Sequence, residues 1–120
     1  MITVLLVDDE KHLQKVYKSI FPLGNFDIIA QAYDGVQAID IYRDLPEKPD
    51  VVLMDQRMPR MDGITATKKL VELDPDVRII FLSADETSKA EAIRVGASRF
   101  LSKPVNIETL FGTIEKTARR

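Results

Sequence analysis

Residues 2–9 read ITVLLVDD, a strand-like run that ends abruptly in two acidic residues. A short apolar run rich in β-branched residues indicates a strand that is buried on both faces. Strands of this kind are typical of parallel sheets that are covered by helices on either side. The run therefore predicts an α/β protein in which Asp8 and Asp9 follow the carboxyl end of the first strand.

Four more strand-like apolar runs follow along the chain, and segments with helical spacing separate them. Apolar residues three or four positions apart mark the helices, as at Leu13, Val16 and Tyr17. Alternating strands and helices predict a doubly wound, five-stranded parallel sheet, because five strands are too few for an eight-stranded barrel. We expect the strand order 2-1-3-4-5, which the spacing alone leaves open. The predicted strands span residues 2–7, 27–32, 51–54, 77–82 and 99–101.

Length and composition exclude several classes of protein. A chain of 120 residues is the size of one domain, so we expect residues 1–120 to form a single domain. The absence of cysteine excludes disulfides and thiolate metal sites, and the single His12 excludes a site built from two imidazoles. A net charge of −2 argues against direct nucleic-acid binding. With no bilayer-spanning stretch and no signal peptide, we expect a cytoplasmic protein that does not bind membranes.

Polar side chains follow four of the five predicted strands. They are Asp8 and Asp9 after the first strand, Asp55 after the third, Ser83 after the fourth and Lys103 after the fifth. Open α/β sheets bind ligands beyond the carboxyl ends of their strands, near the point where the strand order reverses. In the expected order, the first and third strands are neighbours at that point. The sequence therefore predicts three converging carboxylates that are flanked by a hydroxyl and an ammonium group.

Three carboxylates at one point need a counter-ion. Two like charges about 4 Å apart repel by roughly 4 kcal/mol at an effective dielectric constant of about 20. Mg²⁺ would remove this repulsion, since it binds oxygen ligands, usually one or two carboxylates together with water and phosphate oxygens. We expect Asp9 and Asp55 to bind Mg²⁺ directly and Asp8 to hold a ligating water. A carboxylate can also act as a nucleophile and form an aspartyl phosphate, whose charge Lys103 and Ser83 would meet.

Five short motifs lie at the ends of the predicted elements. They are VDDE at residues 7–10, MDQRMPRMDG at 54–63, LSA at 82–84, GA at 96–97 and KP at 103–104. Each is weak alone, but together they make the whole chain resemble the receiver domains of response regulators in two-component signalling, the CheY-like family. The resemblance implies the flavodoxin-like (βα)5 receiver fold, and chemotaxis members of the family have the strand order 2-1-3-4-5.

The resemblance implies a role for each residue of the predicted site. Asp55 would be the phosphoacceptor, and the donor would be a phosphohistidine on a sensor histidine kinase or a phosphotransfer protein. Asp8 and Asp9 would form the acidic pocket for the Mg²⁺ cofactor beside Asp55, with the backbone carbonyl of Arg57 as a third protein ligand. Lys103 would contact the phosphoryl group, and its peptide bond to the following proline would be cis.

The resemblance also implies a conformational switch. Ser83 would move to hydrogen-bond the phosphoryl group, and Phe100 would turn inward behind it, although Phe100 could equally be a simple core residue. The surface of the fourth helix, fifth strand and fifth helix would then bind a different partner, which the sequence does not identify. The protein would not be an enzyme with a separate substrate, although it would assist its own phosphorylation and dephosphorylation. We expect a monomer that forms at most a weak dimer on phosphorylation.

Two charged residues stand where the family tunes the lifetime of the phosphoryl group. Arg57 and Asp85 lie two positions beyond Asp55 and Ser83, respectively. Their opposite charges predict an ion pair across the entrance of the site, which would hinder attacking water. We therefore expect slow-to-moderate self-dephosphorylation.

Other proteins that use related folds or chemistry have different sequence signatures. A flavodoxin-type flavin binder needs a phosphate loop rich in Ser, Thr and Gly where this chain has VDDE, and a dinucleotide-binding domain needs G-x-G-x-x-G. A haloacid-dehalogenase-type phosphatase needs a second aspartate where this chain has Arg57. The alternative that remains is a degenerate receiver that acts only as a protein-interaction module. Such domains usually lose the acidic pair, the acceptor or the lysine, all of which are present.

Overall fold

A single parallel sheet organises the protein, as seen in a computed structural model that describes residues 1–119; Arg120 lies outside the described residues. The strands are β1 Ile2–Val7, β2 Phe26–Ala32, β3 Val51–Asp55, β4 Ile79–Ser83 and β5 Arg99–Ser102. Their order in the sheet is β2-β1-β3-β4-β5, which confirms the predicted order. β4 begins two residues later than predicted, because the N–H of Val77 donates to the carbonyl of Asp74 in the preceding turn.

Helices follow each strand and cover both faces of the sheet. The last helix begins after Asn106, whose side chain accepts a hydrogen bond from the N–H of Thr109 at 2.8 Å and so caps the helix. No helix within residues 1–119 is long and apolar enough to cross a membrane. The helices are α1 Lys11–Ile20, α2 Gly35–Asp44, α3 Gly63–Leu73, α4 Lys89–Arg94 and α5 Ile107–Ala118, with 3₁₀ turns at Phe21–Gly24 and Glu86–Ser88.

Two apolar cores hold the sheet, one on each face. Alternate residues of a strand point to opposite faces, so Leu5 and Val7 pack in the core under α2, α3 and α4. Val4 and Leu6 pack in the other core, together with residues of α1 and α5. All four of these side chains are almost completely buried. Because both faces are fixed, the loops at the carboxyl ends of the strands stand on a rigid support.

Candidate functional site

The acidic residues that follow β1 and end β3 meet in one cluster. The two strands pair so that Val7 lies opposite Met54, which places Asp8 beside Asp55. One carboxylate oxygen from each of Asp8, Asp9 and Asp55 lies within 4.8 Å of the other two. Asp8 and Asp55 are buried and Asp9 is exposed, so the cluster is open to solvent on one side.

Lys103 brings a positive charge to this cluster from the end of β5. Its Nζ lies 2.7 Å from Oδ1 of Asp55 and 3.7 Å from Oδ2 of Asp8. The backbone N–H of Lys103 donates to the carbonyl of Ser83 at 2.9 Å, and the peptide bond to Pro104 is cis, as the resemblance implied. Lys103 thus contacts two of the three clustered carboxylates, and its single positive charge does not balance their three negative charges.

The pKa directions at the site reflect this imbalance. Burial raises the pKa of Asp8, and repulsion from Asp55 raises it further. Burial also raises the pKa of Asp55, although the hydrogen bond from Lys103 opposes the effect. Burial disfavours the ammonium of Lys103, but the hydrogen bond and charge of Asp55 outweigh it and raise the pKa of the lysine. The ionised carboxylates are therefore destabilised as they stand.

The donor set fits a hard divalent cation. All three acidic ligand groups are carboxylates, and their nearest oxygens are close enough together to face one ion. Mg²⁺ prefers such oxygen donors and keeps several waters, for which the exposed side of the cluster leaves room. Arg57 lines the same pocket, as the expected contribution of its backbone carbonyl requires.

Ser83 and Phe100, the two expected switch residues, have other contacts in this structure. Ser83 lines the pocket, but its hydroxyl accepts from the N–H of Asp85 at 3.0 Å and donates to the carbonyl of Asp85 at 3.4 Å. The ring of Phe100 is half-buried and stacks on Phe81, with the ring centroids 6.1 Å apart. The Ser83 hydroxyl is thus engaged with the loop between β4 and α4.

The ion pair predicted between Arg57 and Asp85 is not formed. Both residues line the pocket, but the described residues 1–119 include no salt bridge between them. The carboxylate of Asp85 instead caps the 3₁₀ turn that follows, where it accepts from the N–H and the hydroxyl of Thr87 at 2.9 and 2.6 Å. These hydrogen bonds, with a smaller effect from the charge of Arg57, lower the pKa of Asp85. The prediction was wrong because a local acceptor role competes for the carboxylate.

Close packing fixes the backbone just after Asp55. Gly63 begins α3, and a Cβ atom there would lie 2.3 Å from the carbonyl oxygen of Asp55. The N–H of Gly63 donates to the carbonyl of Gln56 at 3.0 Å, and the side chain of Gln56 accepts from the N–H of Ile64 at 3.0 Å. The start of α3 is therefore locked onto the segment that carries Asp55.

Two polar contacts near the site were not predicted. Asp34, at the start of α2, accepts from the N–H of Gln37 at 2.8 Å and from Nε of Arg60 at 3.0 Å. Arg60 has a φ of 65°, a left-handed conformation that favours glycine, so this ion pair helps to hold the loop between β3 and α3. Gln14 is buried on α1, three residues before Tyr17. Its position on the apolar face of the helix was the feature of the sequence from which its burial could have been predicted.

Comparison with known proteins places this site in context. A family model described as the response regulator receiver domain matches residues 4–115. The chemotaxis protein CheY of Bacillus subtilis (strain 168) is 37% identical over 116 residues, which cover 95% of each chain. A chain of the CheX–CheY–BeF3–Mg²⁺ complex from Borrelia burgdorferi superposes with a TM-score of 0.89 at 32% identity, covering 96% of this chain and 87% of that one. The response regulator domain of Thermotoga maritima CheB has a TM-score of 0.88 at 30% identity, covering 100% and 98%.

Proposed function

Because this chain belongs to the response regulator receiver domain family of two-component signalling, we propose that Asp55 accepts a phosphoryl group from a phosphohistidine. The donor is a sensor histidine kinase or a phosphotransfer protein, and residues 1–120 form one receiver domain. The single observation that carries the proposal is the cluster of Asp8, Asp9 and Asp55 with Nζ of Lys103 2.7 Å from Asp55. In the proposed function, this set supplies a nucleophile, ligands for a cation and a positive charge beside the nucleophile.

In the proposed reaction, a carboxylate oxygen of Asp55 attacks the phosphorus atom of the donor. A P–O bond to Asp55 forms as the P–N bond to the imidazole breaks, and the electron pair of that bond leaves with the imidazole nitrogen. Asp55 must be ionised to attack, and the hydrogen bond from Lys103 favours that state. The ammonium of Lys103 can also donate to the phosphoryl oxygens and meet their charge.

Asp8, Asp9, Asp55 and the backbone carbonyl of Arg57 are the groups that would hold Mg²⁺. When bound, Mg²⁺ would supply positive charge for the phosphoryl oxygens and relieve the repulsion among the carboxylates. The chain itself orients Asp8, because its Oδ1 accepts from the N–H of Glu10 at 2.9 Å. Its Oδ2, which is 3.7 Å from Nζ of Lys103, is left for the shared site.

Ser83 and Phe100 are proposed to carry the signal away from Asp55. The hydroxyl of Ser83 must release the backbone of Asp85 before it can donate to a phosphoryl oxygen. The same loop is held by a hydrogen bond from the hydroxyl of Ser102, in β5, to the carboxylate of Glu86. A phosphoryl group brings nearly two negative charges, so it favours this rearrangement. The surface of α4, β5 and α5, which includes Phe100, is thereby proposed to change its affinity for a downstream partner.

We infer that the protein acts on no substrate other than itself. It assists its own phosphorylation and dephosphorylation, and it acts as a monomer that forms at most a weak dimer when phosphorylated. We propose a cytoplasmic location, where kinases have access to ATP. Mg²⁺ would be the one cofactor, and neither nucleic acid nor membrane is a direct partner.

Intact-mass spectrometry after incubation with acetyl phosphate and MgCl₂ tests the proposal. The wild type should gain the mass of one phosphoryl group, and Asp55→Asn should gain none. Asp27→Asn, which changes an exposed aspartate of β2, is the matched control and should be labelled like the wild type. Replacing MgCl₂ with EDTA should abolish labelling. Equal labelling of Asp55→Asn and wild type would refute the assignment.

A further inference from the structure

Gln14 carries a buried polar side chain directly behind the acidic cluster. It is 1% exposed. Its Nε2 donates to the backbone carbonyls of Asp8 and Ala32 at 2.9 and 2.8 Å, with the carbonyl of Leu6 at 3.4 Å. Its Oε1 accepts from Nε2 of Gln31 at 2.8 Å. The amide group of Gln14 is therefore fully engaged, which favours a single orientation.

The hydrogen bonds of the Gln14 side chain lie where the hydrogen bonding between β1 and β2 ends. The backbone hydrogen bond from the N–H of Asp8 to the carbonyl of Ala32, at 3.0 Å, joins the ends of β1 and β2. After it, the chain turns away from β1 and enters α1. A carbonyl in this buried turn still needs a donor, and Gln14 provides one for Asp8. Gln14 thus replaces the strand ladder at the point where the acidic pair leaves the sheet.

The carbonyl that Gln14 holds belongs to the peptide group between the two acids. A peptide unit is planar, so fixing the carbonyl of Asp8 also fixes the orientation of the N–H of Asp9. The N–H of Asp8 is held by Ala32, and its carboxylate is held by the N–H of Glu10. With Gln14 in place, the N–H, the carbonyl and the carboxylate of Asp8 all have hydrogen-bond partners.

We propose that Gln14 is a positioning residue of the cation site, which holds the peptide between Asp8 and Asp9 so that their carboxylates keep the spacing required by Mg²⁺. The inference rests on the proposed function, since it concerns the same site. Mg²⁺ demands near-ideal octahedral geometry, so displaced ligands weaken its binding. Outer partners of metal ligands typically change metal affinity about 10–100-fold when they are mutated. A purely structural role for Gln14 predicts a loss of stability with unchanged Mg²⁺ affinity.

Three variants separate positioning from stability. Gln14→Met keeps a long unbranched side chain but removes both N–H donors. Gln31→Met removes the outer hydrogen bond to Gln14, together with a 3.5 Å contact from Nζ of the exposed Lys18, and leaves the donors of Gln14 in place. Tyr42→Phe removes a 2.6 Å hydrogen bond from the tyrosine hydroxyl to Asp74, which precedes β4. That contact lies at the opposite, amino-terminal edge of the sheet, so this variant loses stability without touching the acidic cluster.

The experiment is a titration of the full chain with MgCl₂, followed by backbone NMR shifts and without any phosphodonor. Gln14→Met should weaken Mg²⁺ binding about five- to tenfold, and Gln31→Met about two- to threefold. Tyr42→Phe should melt at a lower temperature and bind Mg²⁺ as the wild type does. Sucrose in the buffer favours the compact state and keeps the weaker variants folded.

The possible outcomes are distinct. Wild-type affinity in Gln14→Met overturns the inference, and so does an equal loss of affinity in Tyr42→Phe. If Gln14→Met does not fold, Gln31→Met decides the question, because unchanged affinity there contradicts the inference. If the wild type itself does not bind Mg²⁺, the proposed cation site is wrong and the inference falls with it, whereas normal wild-type binding confines any failure to Gln14.

Discussion

Replacing Asp8 with asparagine should stabilise the protein when no divalent cation is present. The change removes one charge from a buried, crowded cluster and keeps the shape of the side chain. Asparagine can still accept the hydrogen bond from the N–H of Glu10 through its side-chain oxygen. The raised pKa of Asp8, caused mainly by burial, indicates the same direction, since the charged form is the disfavoured one.

The size of the effect follows from the distances in the site. At an effective dielectric constant of about 20, a like charge 4.8 Å away repels Asp8 by about 3.5 kcal/mol, and Asp9 and Asp55 both lie within that distance. The opposite charge of Lys103, at 3.7 Å, attracts Asp8 by about 4.5 kcal/mol. Solvent screens the exposed Asp9, which reduces the net relief to about 1–2 kcal/mol. In a domain of this size, that corresponds to a rise in Tm of roughly 4–8 °C.

Thermal unfolding in EDTA and in MgCl₂ measures this prediction. In EDTA, Asp8→Asn should melt above the wild type, and Asp9→Asn should show a smaller rise because Asp9 is exposed. MgCl₂ should stabilise the wild type and should stabilise Asp8→Asn much less, because a ligand that binds the native state adds to its stability. Asp27→Asn, on β2, is the control and should leave Tm nearly unchanged. A lower Tm for Asp8→Asn in EDTA would refute the crowded-acid account.

Three further predictions concern stability. A carboxyl group whose pKa in the folded protein lies above its unfolded value of about 3.9 has no effect on stability at pH values below the unfolded pKa. It destabilises the protein increasingly as pH rises from the unfolded pKa to the folded pKa. Urea unfolding in EDTA should therefore show the wild type and Asp8→Asn converging near pH 4 and diverging toward pH 7; a difference independent of pH would contradict this. Gly63→Ala should lower the unfolding free energy by about 1–3 kcal/mol, because its Cβ would meet the carbonyl oxygen of Asp55. Gly112→Ala, whose Cβ meets no atom of residues 1–119 within 4 Å, should raise it by about 0.5–1 kcal/mol, and equal signs for the two variants would contradict the packing. Thr67→Val should add about 1 kcal/mol in the same assay, because no group in the described part of the chain hydrogen-bonds the buried Thr67 hydroxyl, and a loss would show that it has a partner.

Sequence reasoning succeeded where the signal is periodic or local. The bounds of β1 follow from one uninterrupted apolar run. The strand order was predicted from a general rule for α/β sheets, because the sequence of one strand does not identify the strands that lie beside it. The structure then brings Asp8, Asp55 and Lys103 together, as their places at strand ends predicted.

Contacts between segments that are far apart in the chain could not be predicted from the spacing of apolar residues. Arg60 pairs with Asp34, 26 residues earlier, and nothing local marks either residue as a partner. The expected ion pair between Asp85 and Arg57 was wrong, because opposite charge was its only basis. The carboxylate of Asp85 instead accepts a hydrogen bond from the N–H of Thr87, which is nearer in the chain. The role of Gln14 was not predicted, because the sequence does not show that the backbone carbonyls of Asp8 and Ala32 lie next to this face of α1.

The most direct test of the central claim is to locate the phosphoryl group on the chain. Borohydride reduces an aspartyl phosphate to homoserine, and mass spectrometry of the resulting peptides locates that residue. After incubation with acetyl phosphate and MgCl₂, the wild type should carry homoserine at position 55 and at no other aspartate. Homoserine at position 8 or 9, or a phosphoryl group on another type of side chain, would contradict the assignment of Asp55 as the acceptor.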